Sequence, residues 1–258
     1  MGKRLLLAAW LTISTAACYP YLHSPPGRMV PVEAAKALPK GDVAIAGALS
    51  GGVGTLGPAL GAGTLQGRCG FGHGFEGAVE AGFAVIGRRD SDWNTSASHA
   101  LFSARTGFKY EAASWFAVQA GFGGGGSAAG GYVSPDAGII FSYQGDHVVP
   151  LLAAGFFYSW PINPKAIVFT DEDSIEVLLP DKTVGGYGNL GLRIPLTDSE
   201  NDGPRTALTF AYRMIFASHE EEFGRYADFY HLGVVSLDFV IRKRERSPES
   251  SGRRWELH

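Results

Sequence analysis

Ser218 and His219, followed by Glu220, Glu221 and Glu222, have the residue types of a nucleophile, a base and an orienting acid, the set that acyl transfer uses. The spacing works against that chemistry. Adjacent strand residues point to opposite faces, so Ser218 does not readily use His219, and a solvated polar run accounts for the stretch. Gly52-Val-Gly-Thr-Leu-Gly57 spells the dinucleotide fingerprint, which needs a helix directly after it. Pro58-Ala-Leu-Gly-Ala-Gly63 follows and is a poor helix, so the run reads as a flexible loop, and Gly123 to Gly126 as a loop tip. Asp171, Glu172, Asp173 and Glu176 offer carboxylates to a divalent cation, but without the glycine turn and ligand spacing of a dedicated calcium loop. His23, His99, His147 and His231 are scattered. No catalytic residue, metal or cofactor is assigned from these runs.

Cys18 is the remaining reactive candidate. Lys3 and Arg4, the apolar run 5–13 and the small residues 14–17 have the layout of an export signal, residues 1–17, too short to span a bilayer as a helix. Small residues directly before Cys18 resemble the bacterial lipobox, in which that cysteine is acylated and becomes the new N-terminus; Thr15 stands where a leucine is usual. Acylation of Cys18 is the expectation. Cleavage after Ala17 without lipid is the alternative, and it leaves a Cys18–Cys69 disulfide open in an oxidising compartment.

Composition narrows the class. Charged residues make up 18% of the 258, below the usual quarter, and glycine, at 36, is well above its usual share with no collagen period. The net charge of −3 does not favour nucleic acid.

The elements that position these residues are strands. In the run 206–217, Leu208, Phe210, Tyr212, Met214 and Phe216 share one face, and Thr209, Ala211 and Arg213 the other. Similar alternation predicts ten strands at 43–50, 63–72, 75–87, 99–110, 115–123, 132–143, 147–160, 184–195, 206–217 and 229–242. A Pro-rich lead-in at 18–41, with a short helical stretch at 33–38, precedes them on the periplasmic side, and a polar tail, 244–258, follows. The connections alternate short and long: 73–74, 111–114 and 144–146 against 51–62, 88–98, 124–131, 161–183 and 218–228, with 197–205 long for its place. Short turns on one side and long loops on the other are the habit of membrane barrels.

The two faces sort by chemistry. Val79, Ala81, Phe83 and Val85, then Phe102, Phe108, Val118, Phe122, Leu190, Leu192, Val235, Leu237 and Phe239 fall outward. Inward fall Arg68, Glu76, Glu80, Arg105, Lys109, Gln119, Asp136, Asn189, Arg193, Arg213 and Asp238, whose five basic and four acidic groups nearly balance. Arg or Lys facing lipid at mid-depth costs about 2–4 kcal/mol, so these charges belong in a lumen, where Arg105, Arg193 and Arg213 are expected to pair with Glu76, Glu80 and Asp238. Tyr110, Trp115 and Tyr143 at one set of strand ends, with Tyr158 and Trp160 at the other, fit interfacial girdles. A soluble β-sandwich is the competing fold, with its apolar face turned inward.

Taken together, residues 42–243 resemble the small outer-membrane β-barrel proteins of Gram-negative bacteria: all-β, antiparallel, up-and-down, transmembrane, with about ten strands. The resemblance implies the bacterial outer membrane, contact with its lipid and lipopolysaccharide, and assembly by the barrel-assembly machinery. Members usually end on an aromatic residue that this machinery reads; here a polar tail follows, which leaves Phe239 on the last strand for that part. Ten strands with charged inward residues imply a narrow or closed lumen and a structural, adhesive or small-solute role. Some outer-membrane barrels are lipid A deacylases with His, Ser and Glu near the rim, and 218–222 is faintly similar; a rim enzyme is therefore one alternative. A periplasmic ligand-binding β lipoprotein is another.

Overall fold

In the computed structural model the described residues are 32–55, 59–89, 95–171, 174–178, 181–197, 205–221 and 224–242. They form twelve strands: β1 Val43–Gly54, β2 Ala59–Gly72, β3 Phe75–Arg89, β4 Thr95–Ala113, β5 Phe116–Ser127, β6 Gly130–Ser142, β7 Val149–Ile162, β8 Ile167–Asp171, β9 Ser174–Leu178, β10 Thr183–Pro195, β11 Arg205–Glu221 and β12 Gly224–Ile241. Ten of them close into one antiparallel barrel in chain order, with β12 pairing back on β1 from Val43↔Ile241 to Gly54↔Tyr230. Closure gives each strand two hydrogen-bonded neighbours and leaves no edge. β8 and β9 pair only with each other, as a hairpin between β7 and β10.

Each of the ten expected strands is present, and most are longer than expected. The runs read as loops at 51–62 and 124–131 are largely strand. Gly51, Gly52 and Gly54 pair with β12, and Gly123 to Ser127 pair with β6. The connections shrink to 55–58 and 128–129. Glycine lowers strand propensity, but a ladder partner on each side decides the outcome. The asymmetry expected of the loops resides instead in strand length: β4, β11 and β12 have 19, 17 and 18 residues, against 12 in β1 and in β5. The 161–183 connection, read as a loop, carries the β8–β9 hairpin.

The turn between β2 and β3 shows how local sequence sets register. His73 and Gly74 have φ of 53° and 80°, the two left-handed residues that a type I′ hairpin turn requires. A Cβ at Gly74 would also sit 2.8 Å from the Glu111 carbonyl oxygen.

The faces separate as the alternation predicts. Outward on β1 stand Val43, Ile45, Leu49 and Val53; on β3 Val79, Phe83 and Val85; on β12 Val235, Leu237, Phe239 and Ile241, all exposed. A strand tilted by about 40° climbs about 2.5 Å per residue, so the ten steps from Val43 to Val53 make a band about 25 Å tall, the height of the apolar band of membrane barrels. Aromatic pairs mark both rims. Phe75–Tyr110, with ring centroids 4.7 Å apart, and Trp115–Phe141, at 6.0 Å, lie near the mouth where β1 begins and β12 ends. Tyr158–Trp160, at 4.3 Å, lies toward the far mouth.

Candidate functional site

The inward positions form two layers. On the strand halves away from the termini, Leu60, Ile86, Leu101, Tyr132, Phe157, Ile215, Tyr230 and Leu232 belong to one buried apolar cluster. This interior was expected to be polar; half of it is packed like a soluble core, because inward apolar residues such as Leu232 and Val234 interrupt the alternation beside their outward neighbours. The ion-paired residues gather in the half nearer the termini, while Arg213 stands opposite Leu232 at the boundary and the buried Asp228 lies in the far half.

Strand register brings the charges together. Glu80 is opposite Arg105 and Glu76 opposite Lys109 on β3 and β4, and Gln66 is opposite Glu80 on β2 and β3. Opposite residues on one face touch. Arg105 Nη1 donates to Glu80 Oε1 at 2.9 Å, and Lys109 Nζ lies 3.1 Å from Glu76 Oε1. Gln66 Nε2 donates to Glu80 Oε1 at 3.0 Å. Arg105 also crosses β5 and binds Asp136 through two parallel bonds, Nε–Oδ2 at 2.6 Å and Nη2–Oδ1 at 2.8 Å.

A second cluster contains Arg68, Lys109 and Arg193. Arg68 Nη1 is 3.3 Å from Glu76 Oε1 and its Nη2 is 3.7 Å from Asp238 Oδ1; Arg193 Nη1 is 3.1 Å from Asp238 Oδ2. Of the three pairings expected for Arg105, Arg193 and Arg213, Arg105–Glu80 and Arg193–Asp238 are made. Glu76 pairs with Arg68 and Lys109 instead. Arg213, fully buried, lies over the Tyr187 ring at 4.7 Å, and Gln119 Nε2 donates to the Tyr187 hydroxyl at 2.9 Å.

The residue that sequence reasoning missed is Glu33. The described part of the lead-in, 32–41, does not lie outside the barrel: Val32, Glu33, Ala35 and Ala37 are buried in the terminal mouth. Glu33 Oε1 accepts from Gln66 Nε2 at 2.6 Å, and its Oε2 lies 3.4 Å from Lys109 Nζ and 3.9 Å from Arg68 Nη1. Main-chain groups complete the seating. Ala35 N donates to Ser142 Oγ at 2.9 Å, Ala37 N to Glu111 Oε2 at 2.7 Å and Leu38 N to Glu76 Oε2 at 2.8 Å. Lys109 Nζ donates to the carbonyls of Ala34 and Lys36 at 3.2 and 3.4 Å. These bonds replace the helix expected at 33–38, whose amides the wall side chains take up. The only sequence cue was a lone acid among small residues.

The other candidates are not assembled. Ser218 pairs with Ala227 and His219 with Tyr226 along the β11–β12 ladder, so the two alternate along the strand; the side chains of His219 and of 220–222 lie outside the described residues. Gly52 and Gly54 of the fingerprint are strand residues of β1, and Leu56 and Gly57 lie outside the described residues. Asp171 ends β8 and Glu176 lies in β9, with Glu172 and Asp173 outside the described residues. Among the described residues, no three His, Cys, Asp or Glu side chains are grouped to hold a metal ion. Cys69 is a free, half-buried thiol, and Cys18, the segment 1–31 and the tail 243–258 lie outside the described residues.

A closed antiparallel barrel with an apolar outer band, aromatic rims and buried inward charges is a membrane-spanning barrel of the outer-membrane type. Solved structures of similar architecture include the translocator domain of the autotransporter NalP from Neisseria meningitidis, at 14% identity and TM-score 0.45, covering 77% of this chain and 88% of that one. The β domain of the Bordetella autotransporter BrkA has 8% identity and TM-score 0.43, over 77% and 98%. An outer membrane channel from Pseudomonas putida F1 has 10% identity and TM-score 0.43, over 83% and 99%. No protein-family model and no curated protein sequence matches the chain.

Proposed function

We propose that this chain is a closed structural barrel of the bacterial outer membrane rather than a solute channel. The observation that carries the reading is double occlusion. Residues 32–38 fill the terminal mouth, and the apolar cluster around Phe157, Ile215 and Leu232 fills the far half. Ten strands leave little more room than the eight that side chains alone can fill. Planar-bilayer recordings of the full chain should give no steady conductance; a stable ohmic step would overturn the reading. Heat-modifiable mobility on gels tests the membrane barrel itself, and solubility without detergent would count against it.

The terminal mouth faces the periplasm in this reading, with lipid and lipopolysaccharide around the outer band and the barrel-assembly machinery as the partner during folding. Residues 1–17 are an export signal, and the mature chain begins at an acylated Cys18. The position of Cys18 directly after small residues supports this. Fourteen residue steps from Cys18 to Val32 reach at most about 50 Å, so a membrane anchor and a seated segment are compatible. Several acyl chains anchor stably where a single one is marginal. Intact mass should exceed the unmodified mature chain by a diacylglycerol and an acyl group, and Cys18→Ser should abolish the excess. An unmodified mass, or a Cys18–Cys69 disulfide in non-reducing peptide maps, would defeat the lipid assignment.

A further inference from the structure

We propose that the terminal mouth of the lumen is a binding site for an extended peptide that presents one carboxylate followed by small residues, which residues 32–38 occupy as a tethered copy of the ligand. The contacts divide into two kinds. Ser142, Glu111, Glu76 and Lys109 bind the main chain of the segment at Ala35, Ala37, Leu38, Ala34 and Lys36, contacts that any extended chain can make. The one charged side chain that the wall reads is Glu33, held by Gln66, Lys109 and Arg68. Ala35 and Ala37 are buried against the wall, so the site asks for a carboxylate followed by small residues, while Lys36 between them is exposed.

Charge supports the same assignment. The ion-paired cluster contains three cations, Arg68, Lys109 and Arg193, and on the barrel wall two carboxylates, Glu76 and Asp238. Glu33 is thus the third carboxylate around these three cations, and a ligand that takes its place must bring a carboxylate to the same contacts with Lys109 and Arg68.

The segment is not part of the ladder that closes the barrel. Residues 32–38 belong to no strand of the barrel and are held by wall side chains; main-chain pairing with the wall begins where Gly41 N donates to Gly70 O at 2.8 Å. The ten-strand ladder is complete without it. The site needs only the barrel and the seated segment, not the closed-channel reading or the lipid, and peptide binding and conductance are measured separately.

The test uses the full chain in detergent and a fluorescent peptide of residues 32–39, Val-Glu-Ala-Ala-Lys-Ala-Leu-Pro, beside the same peptide with Gln in place of Glu. Glu33→Arg turns the tethered segment against Arg68 and Lys109. That variant should bind the Glu peptide at least tenfold more tightly than the unaltered chain by anisotropy, and the Gln peptide at least tenfold more weakly than the Glu peptide. Equal binding of the two peptides, or no gain over the unaltered chain, overturns the proposal. Should Glu33→Arg fail to fold by gel mobility, a disulfide lock decides. Ala35→Cys with Ser142→Cys, in a Cys69→Ser background, should abolish binding of the Glu peptide when oxidised and restore it on reduction. Binding unchanged by the lock overturns the proposal equally.

Discussion

Arg105 reaches Asp136 across an intervening strand by lying over Gly121. Gly121 is paired with Gly107 on one side and with Asp136 on the other, and a Cβ there would occupy the place of the guanidinium. The bidentate pair therefore depends on a residue that carries no charge. Gly121→Val should strand Arg105 and Asp136 and cost on the order of 3–5 kcal/mol, the range for breaking a buried pair. Gly188→Ala, where a Cβ meets nothing within 4 Å, is the control and should stay within about 0.5 kcal/mol. Urea unfolding midpoints in micelles decide, and equal midpoints for the two variants would refute the account.

Glu80 is bound by both Arg105 and Gln66 and is buried. With the lumen blocked at both ends, Glu80→Ala is expected to destabilise the barrel by about 3–5 kcal/mol without opening it. A cost under about 1 kcal/mol, the value for solvated pairs, together with a new conductance would mean that water fills the lumen after all.

Tyr187 links the two interior layers. Its ring lies under Arg213 and its hydroxyl accepts from Gln119. Tyr187→Phe keeps the ring and removes the hydroxyl, so about 1 kcal/mol should be lost. Tyr187→Ala also removes the surface on which Arg213 rests and should cost at least 3 kcal/mol, in the range for deleting a large aromatic. Similar losses for the two variants would place the stabilisation in the hydroxyl alone.

The ten strands were legible because lipid enforces a strict period of two on the outer face. Phe102, Ala104, Thr106 and Phe108 read outward from sequence and are exposed. The inward charges were legible for the same reason, by exclusion from lipid. What remained hidden has no period. Glu33 sits in an irregular stretch whose binding is by wall side chains to main chain, and main-chain contacts leave no pattern in the residues. The glycines at 51–54 read as a loop because propensity is local, whereas Gly233, the ladder partner of Gly51, is distant in sequence; those at 123–126 read as a loop tip because a glycine run carries no side chains to show a period, although their partners at 131–134 are only a tight turn away. The β8–β9 hairpin was not legible because its strands have five residues each and pair only with each other, so the barrel wall imposes no long period of two on them.

The outer band yields the last prediction. Leu190 is exposed on the outward face of β10, and Asn189 beside it is buried inside. Tyr143 is highly exposed, just past the end of β6 at the terminal rim. If the outward face meets lipid over the height of β1, Leu190→Arg places a charge deep in hydrocarbon and should cost about 2–4 kcal/mol. Tyr143→Arg places the same charge among headgroups and should cost about 0–1 kcal/mol. A soluble barrel would show neither cost, since both side chains would meet water. Unfolding in lipid vesicles distinguishes the cases, because the difference between the two variants reports depth alone. Equal costs at Leu190 and Tyr143 would remove the membrane from the assignment.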